Sequence, residues 1–383
     1  MTLGSARLPA RLAGHRVGLL SNAASVDAGF RHVVDLVAGA PGVRLAALFG
    51  PQHGVRADVQ DNMVETAHGR HPDLDIPVYS LYGETREPTP AMLAGLDLLV
   101  VDLQDVGTRV YTYIHTLSHC LRVCAAEGVG VVVCDRPNPI GGLAVEGPML
   151  EPGFASFVGL HPVPLRHGLT IGEMARLCNE AFGFGAALEV LPMEGWRREM
   201  LHDATGLPWV LPSPNLPTLD SAIVYPGMVL FEGTALSEGR GTTRPFELVG
   251  APWLSAAPLA AAMNGLALPG VHFRPAEFQP TFQKHAGVTC GGCQLHVTDR
   301  TAFRPVATAV ALLSECRRQA PERFAWREPP YEYETRRPPI DILAGSARLR
   351  EGIDAGLPRE VVTAELDRGL EAFGRLRARY LLY

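Results

Sequence analysis

Lysine is almost missing from this 383-residue chain: of its 34 basic residues only Lys284 is lysine, and the rest are arginine. That bias enriches the sequence in planar, anion-gripping guanidinium forks. Positive charge is also outweighed, 34 basic against 40 acidic residues for a net −6, so neither nucleic acid nor an anionic membrane is an expected partner. Long apolar runs are absent. The stretch Leu96–Leu103 is interrupted by Asp97 and Asp102, far short of the ~20 residues that a membrane span needs. Met1–Arg7 lacks the continuous apolar run of a secretory signal, so the chain as written is expected to be cytoplasmic, and secreted or periplasmic if a leader is removed. The seven cysteines (120, 124, 134, 178, 290, 293 and 316) are odd in number and set in apolar segments, which argues for reduced, buried thiols. Cys290-Gly-Gly-Cys293 has no second thiol pair, and His115/His119 has neither the metalloprotease glutamate nor a third ligand; no metal is expected. Gly-x-Gly-x-x-Gly is missing after the first strand, where Asn22-Ala23-Ala24-Ser25 stands, and neither a Walker loop nor Gly-x-Ser-x-Gly occurs. Dinucleotide binding, P-loop chemistry and a serine-hydrolase elbow lack their motifs, and no cofactor is expected.

What is present is a large apolar fraction, 47% against 19% charged, enough for the cores of two packed domains. Apolar runs at Arg16–Ser21, Leu45–Phe49, Val78–Leu81, Leu98–Leu103 and Val129–Cys134 read as strands. Arg31–Ala38 and Tyr113–Ala126 carry helical spacing between them. Thr170-Ile-Gly-Glu173 reads as a capping box that opens a helix to about Ala181. Strands alternating with helices predict an α/β domain with a parallel sheet covered on both faces, residues 1–217. The proline-rich connector Pro212–Pro217 leads into a smaller α+β domain, residues 218–383, with a strand at Gly292–Val297 and helices near Pro305–Arg318 and Arg359–Arg375.

In a parallel sheet ligands sit beyond the carboxyl ends of the strands, which brings several polar stretches to one rim. Gly50-Pro51-Gln52-His53-Gly54 is a glycine-flanked turn around a polar pair, either a ligand-approaching loop or a plain strand-ending turn. Asp102, Asp105, Arg109, Tyr111 and Tyr113 leave one strand end within a dozen residues. The tyrosines offer flat faces for a sugar ring, and Arg109 offers a bidentate grip on a carboxylate. An Asp105–Arg109 ion pair that organises the loop is the alternative. Asp135–Gly142, with Asn138, ends another strand in the same way, and Glu146 follows. Glu232–Thr243, containing Glu232, Glu238, Arg240 and Thr242, is polar enough to supply an acid and an anion clamp from across a cleft, unless it is only a solvated loop.

Together these stretches resemble the NamZ-type exo-β-N-acetylmuramidases, a bacterial glycoside hydrolase family. The resemblance runs through Leu48–Val55, Val78–Gly83, Val101–Tyr113, Asp135–Gly142, Glu146–Glu151, Ser156–Gly172, Leu211–Thr218 and Phe231–Gly250 to the terminal Arg379-Tyr-Leu-Leu-Tyr383. It implies a Rossmann-like first domain, a smaller second one, a cleft between them, and release of N-acetylmuramic acid from the non-reducing end of peptidoglycan fragments. The implied partner is an amino sugar or muropeptide. Gln52, His53 and Glu238 are the expected catalytic positions. Asp102, Asp105, Arg109, Tyr111, Tyr113, Asn138, Glu146, His167, Asn215, Glu232, Arg240 and Thr242 are the expected substrate contacts.

One position departs from the family. Members read Pro-Glu-His-Gly where this chain reads Pro51-Gln52-His53-Gly54, and that glutamate is the family's proposed catalytic residue. A carboxamide is not a useful proton donor near neutral pH, whereas glycosidic cleavage ordinarily requires one beside the bond. Three explanations follow: another carboxylate takes over, with Glu84, Asp102, Glu146 and Glu238 as candidates; the protein binds muropeptides without cutting them; or the substitution is a deliberate inactivation.

Overall fold

The computed structural model describes residues 1–58, 60–61 and 63–383. Its strands are β1 (Arg16–Ser21), β2 (Arg44–Gly50), β3 (Gly69–Arg70), β4 (Pro77–Ser80), β5 (Leu98–Asp102), β6 (Gly130–Cys134), β7 (Glu146–Met149), β8 (Pro164–Arg166), β9 (Leu188–Leu191), β10 (Leu248–Ala251), β11 (Val271–Phe278) and β12 (Cys290–Val297). Seven form one sheet in the order β3-β4-β2-β1-β5-β6-β9. Every pairing in it is parallel except β3 with β4. The apolar runs dictate this: all five residues of β5 are buried, as expected of a strand covered on both faces. The helices Tyr113–Glu127 and Ile171–Ala181 lie on one face, and Val33–Ala38 lies on the other. The Thr170 capping box forms as expected, with Glu173 N–H donating to the Thr170 hydroxyl at 3.2 Å and Thr170 N–H to the Glu173 carboxylate at 3.0 Å.

The second part is built on the antiparallel sheet β10-β12-β11 and the helix Pro305–Gln319. The expected long helix over 359–375 is two helices, Arg359–Leu366 and Leu370–Arg377. Gly369, with φ of 88°, breaks it between them, because a left-handed residue cannot continue a right-handed helix. The two parts share one apolar core: a single cluster runs from Leu20, Val101 and Tyr113 to Phe231, Phe246, Leu312 and Tyr380. All seven cysteines are buried and unpaired. Among the described residues no helix is long and apolar enough to cross a membrane.

The helix Leu219–Met228 packs on Pro305–Gln319 at a glycine. A Cβ on Gly227 would stand 2.0 Å from the Pro305 carbonyl oxygen, and that backbone cannot retreat without moving the start of the partner helix. Gly227→Ala should therefore destabilise the protein by about 2 kcal/mol or more despite the better helix propensity of alanine. Urea denaturation of the two proteins checks this.

Candidate active site

The rim formed by the carboxyl ends of β2, β4 and β5 meets the second part at a cavity. It is lined by Gln52, His53, Tyr111, Thr112, Tyr113, Ser213, Asn215, Tyr225, Glu232, Arg240, Phe246, Tyr331 and Glu332, among others. Gln52 and His53 leave β2 in a tight turn, closed by Gly54 N–H donating to the Pro51 carbonyl at 2.8 Å. His53 takes φ of 69° and Gly54 of 71°. The tyrosines enter from the start of the Tyr113–Glu127 helix, with ring centres 4.5 Å apart. The Tyr113 hydroxyl donates to the Pro212 carbonyl at 2.8 Å, which fixes the proline connector against the rim. The Tyr111 hydroxyl is buried in the cavity wall beside Tyr113 and Ser213.

Two carboxylates face this cavity in opposite electrostatic settings. Glu232 accepts from Arg240 at 2.7 Å and from the Tyr331 hydroxyl at 2.6 Å. Burial alone would push its pKa up, but the Arg240 charge, these hydrogen bonds and Lys284 more than offset that and hold it below the usual carboxylate range. Glu332 pairs directly with no cation among the described residues. It accepts from Tyr82 OH at 2.9 Å and from Gln52 Nε2 at 3.2 Å, and burial raises its pKa to about 7. Two neighbouring acids with their proton affinities pulled apart are the arrangement from which acid and base roles are made.

Glu332 was not among the residues expected from sequence. It lies in Tyr331–Glu334, a turn closed by reciprocal backbone hydrogen bonds of 2.9 Å between those two residues. Glu332 and Tyr333 both take positive φ, 43° and 69°. The one sequence signal was the alternation of tyrosine and glutamate after Pro329-Pro330.

Of the expected residues the cavity gathers Gln52, His53, Tyr111, Tyr113, Asn215, Glu232 and Arg240. Glu238 stands one layer behind, bound by Lys284 at 2.6 Å and by Arg240 at 3.4 Å; it supports the charge of Arg240 and does not line the cavity. Asp102 is fully buried and accepts from Arg136, one contact being 3.0 Å. Asp105 accepts from Gly107 N–H at 2.7 Å and faces His167 at 3.6 Å. The Asp105–Arg109 ion pair, the alternative reading of this loop, is not formed. Arg109 donates instead to the carbonyls of Pro148, Val163 and Leu343 at 2.7, 2.9 and 2.9 Å, and burial draws its pKa down to about 9. Three contacts to backbone carbonyls pin the two parts together through it, and it is fully buried outside the cavity lining. Asn138 holds Leu169 O and Ile140 N–H. Glu146 caps the Pro305–Gln319 helix, accepting from Val306 and Ala307 N–H at 3.0 Å each, a favourable place for a carboxylate. Thr242 donates to Gly239 O at 2.6 Å within its own loop. Asp102, Asp105, Arg109, Asn138, Glu146, His167 and Thr242 thus build the scaffold around the cavity. Buried polar side chains there satisfy irregular backbone, which their residue types alone do not reveal.

A wider depression lies behind the same turn, lined by Asp35, Arg56, Asp58, His71 and Tyr79. Its carboxylates are exposed to water, so it offers no counterpart to the buried Glu232–Glu332 pair.

Family models for the N-terminal and C-terminal parts of the exo-β-N-acetylmuramidase NamZ match residues 17–220 and 223–383. The chain is 46% identical over 373 residues to the peptidoglycan β-N-acetylmuramidase NamZ of Bacillus subtilis (strain 168), covering 97% of this chain and 88% of that protein. The crystal structure of a DUF1343 family protein from Bacteroides fragilis NCTC 9343 superposes with a TM-score of 0.91 at 35% identity, covering 100% of this chain and 98% of that one. A second such protein from the same organism gives 0.77 at 26% identity with the same coverage. With both family models matched along nearly its whole length, this chain belongs to the exo-β-N-acetylmuramidase NamZ family.

Proposed function

We propose that this protein is a glycoside hydrolase that releases N-acetylmuramic acid from the non-reducing end of peptidoglycan fragments. The observation that carries the reading is the pair of buried carboxylates, Glu232 held ionised and Glu332 holding its proton to about pH 7, on the walls of one cavity. Glycosidic cleavage calls for such a division of labour. The lining is buried, with Tyr113 at 1%, Glu232 at 3% and Glu332 at 5% exposure, around a cavity of about 40 Å³, so admitting a terminal sugar requires its walls to move apart. Tyr111 and Tyr113, their rings inclined at 60° to each other, line the cavity with aromatic surface suited to a pyranose ring. Arg240, although paired with Glu232, lines that wall and is the fitting partner for the lactyl carboxylate, since Arg109 lies outside the cavity lining.

Incubation with a MurNAc–GlcNAc disaccharide and with 4-nitrophenyl β-N-acetylmuramide tests this. Free N-acetylmuramic acid should appear from both, and a glycan strand whose non-reducing end is N-acetylglucosamine should stay intact. Release from within such a strand would exclude the exo-acting reading. Gln52 favours a second reading, a muropeptide-binding protein without turnover; saturable binding of the disaccharide with no product on long incubation would select it.

A further inference from the structure

Hydrolysis requires a group that protonates the departing sugar oxygen, and the carboxamide of Gln52 is unable to do so. We propose that Glu332 is the proton donor of this site and that Gln52 is its positioning residue. The inference rests on the hydrolase reading above. Three features of the geometry carry it.

First, Glu332 and Gln52 line the same cavity and touch, Nε2 of the amide donating to Oε1 of the carboxyl at 3.2 Å. Second, the amide is fixed in orientation. Its Oε1 accepts the Thr112 hydroxyl at 2.9 Å, which leaves the NH2 end to face Glu332. Tyr82 holds the other carboxyl oxygen at 2.9 Å, and each oxygen keeps a lone-pair direction for a proton. Third, Glu332 and Tyr333 occupy left-handed backbone without being glycine. Such residues cost about 1–3 kcal/mol each and persist where the surroundings enforce them, commonly at reaction sites. The charged and titratable groups around Glu332 are Tyr82, Tyr225, Glu232, Arg240 and Tyr331, with His53 on the same wall. Burial is the main reason its proton is retained toward neutral pH, reinforced by the negative charge of Glu232 and opposed by Tyr82, Gln52 and Arg240.

In the reaction the Glu332 O–H bond breaks and its proton passes to the glycosidic oxygen. The bond from that oxygen to the anomeric carbon breaks, and its electron pair leaves with the shortened glycan as an alcohol. One water adds at the anomeric carbon and returns a proton to Glu332, so the sum is one water consumed and one N-acetylmuramic acid released.

The test compares leaving groups. 4-Nitrophenolate departs without a proton, whereas the sugar alcohol of the disaccharide needs one. Glu332→Gln should lower kcat on the disaccharide by roughly 10²-fold or more and on the nitrophenyl glycoside by much less, and should erase the alkaline limb near pH 7. Gln52→Ala, which keeps the acid and removes its support, should shift that limb and leave a partial rate on the disaccharide. Equal losses on both substrates, or a disaccharide rate unchanged in Glu332→Gln, would overturn the assignment while leaving the hydrolase reading intact. A wild-type protein inert on both substrates would remove the hydrolase reading and this inference with it. Should Glu332→Gln fail to fold, Glu332→Asp, which keeps the proton on a shorter arm, must show the same substrate-dependent loss.

Discussion

Arg240→Met should cost about 3–5 kcal/mol of stability at pH 7, the usual consequence of removing one partner from a buried ion pair. Arg240 stands between Glu232 at 2.7 Å and Glu238 at 3.4 Å, and their charges hold its guanidinium protonated against the burial that works the other way. Without it, Glu238 keeps Lys284 and Glu232 keeps the Tyr331 hydroxyl, and neither arrangement neutralises both acids. The sign of the pH dependence follows. Glu232 has a folded-state pKa lowered below its unfolded value, so its contribution is present above the unfolded pKa and is lost as pH falls through the folded one. The deficit of the variant should therefore be largest near neutrality and shrink in acid. Urea titrations at pH 7 and pH 4 measure it. Adding Glu232→Gln to Arg240→Met should recover part of the loss, whereas a purely steric role for Arg240 predicts no recovery.

Gln52→Glu should move the alkaline limb of activity upward by at least about one unit. The new carboxyl would sit where Nε2 now lies 3.2 Å from Glu332, and two acids that close share a proton and ionise as a pair. The second ionisation of that pair is then harder than that of Glu332 alone, whose pKa is about 7. At pH 8 a lone acid of that pKa is protonated only about one-tenth of the time, so the variant should outperform wild type there by several-fold. Profiles of kcat/KM against pH for both proteins decide the matter. A limb that stays in place would show that position 52 does not act on the proton of Glu332.

Most of the first sheet could be read from sequence because its central strands are buried on both faces and appear as uninterrupted apolar runs. Arg16–Ser21 matches β1 residue for residue. Short or half-exposed strands such as Leu188–Leu191 carry no such run. Gln52, His53, Tyr111 and Tyr113 could be found because the strand-end rule places them. Glu332 escaped that rule, for it sits on a turn outside both larger sheets, and a left-handed φ at Glu or Tyr leaves no mark in composition. The residues read as substrate contacts but found in the scaffold have a common explanation. Sequence shows that Arg109 carries donors, but only the fold shows three backbone carbonyls already holding them.

The isolation of Lys284 has a practical outcome for handling the protein. Its ammonium group is enclosed by the Phe231, Thr234 and Leu236 carbonyls at 2.8, 3.1 and 2.6 Å and by Glu238, and the sequence contains no other lysine. Its side chain keeps 18% exposure and borders an open depression, so acylating labels should modify two amines at most, the α-amino group and Lys284, and peptide mapping of the labelled protein reads the ratio.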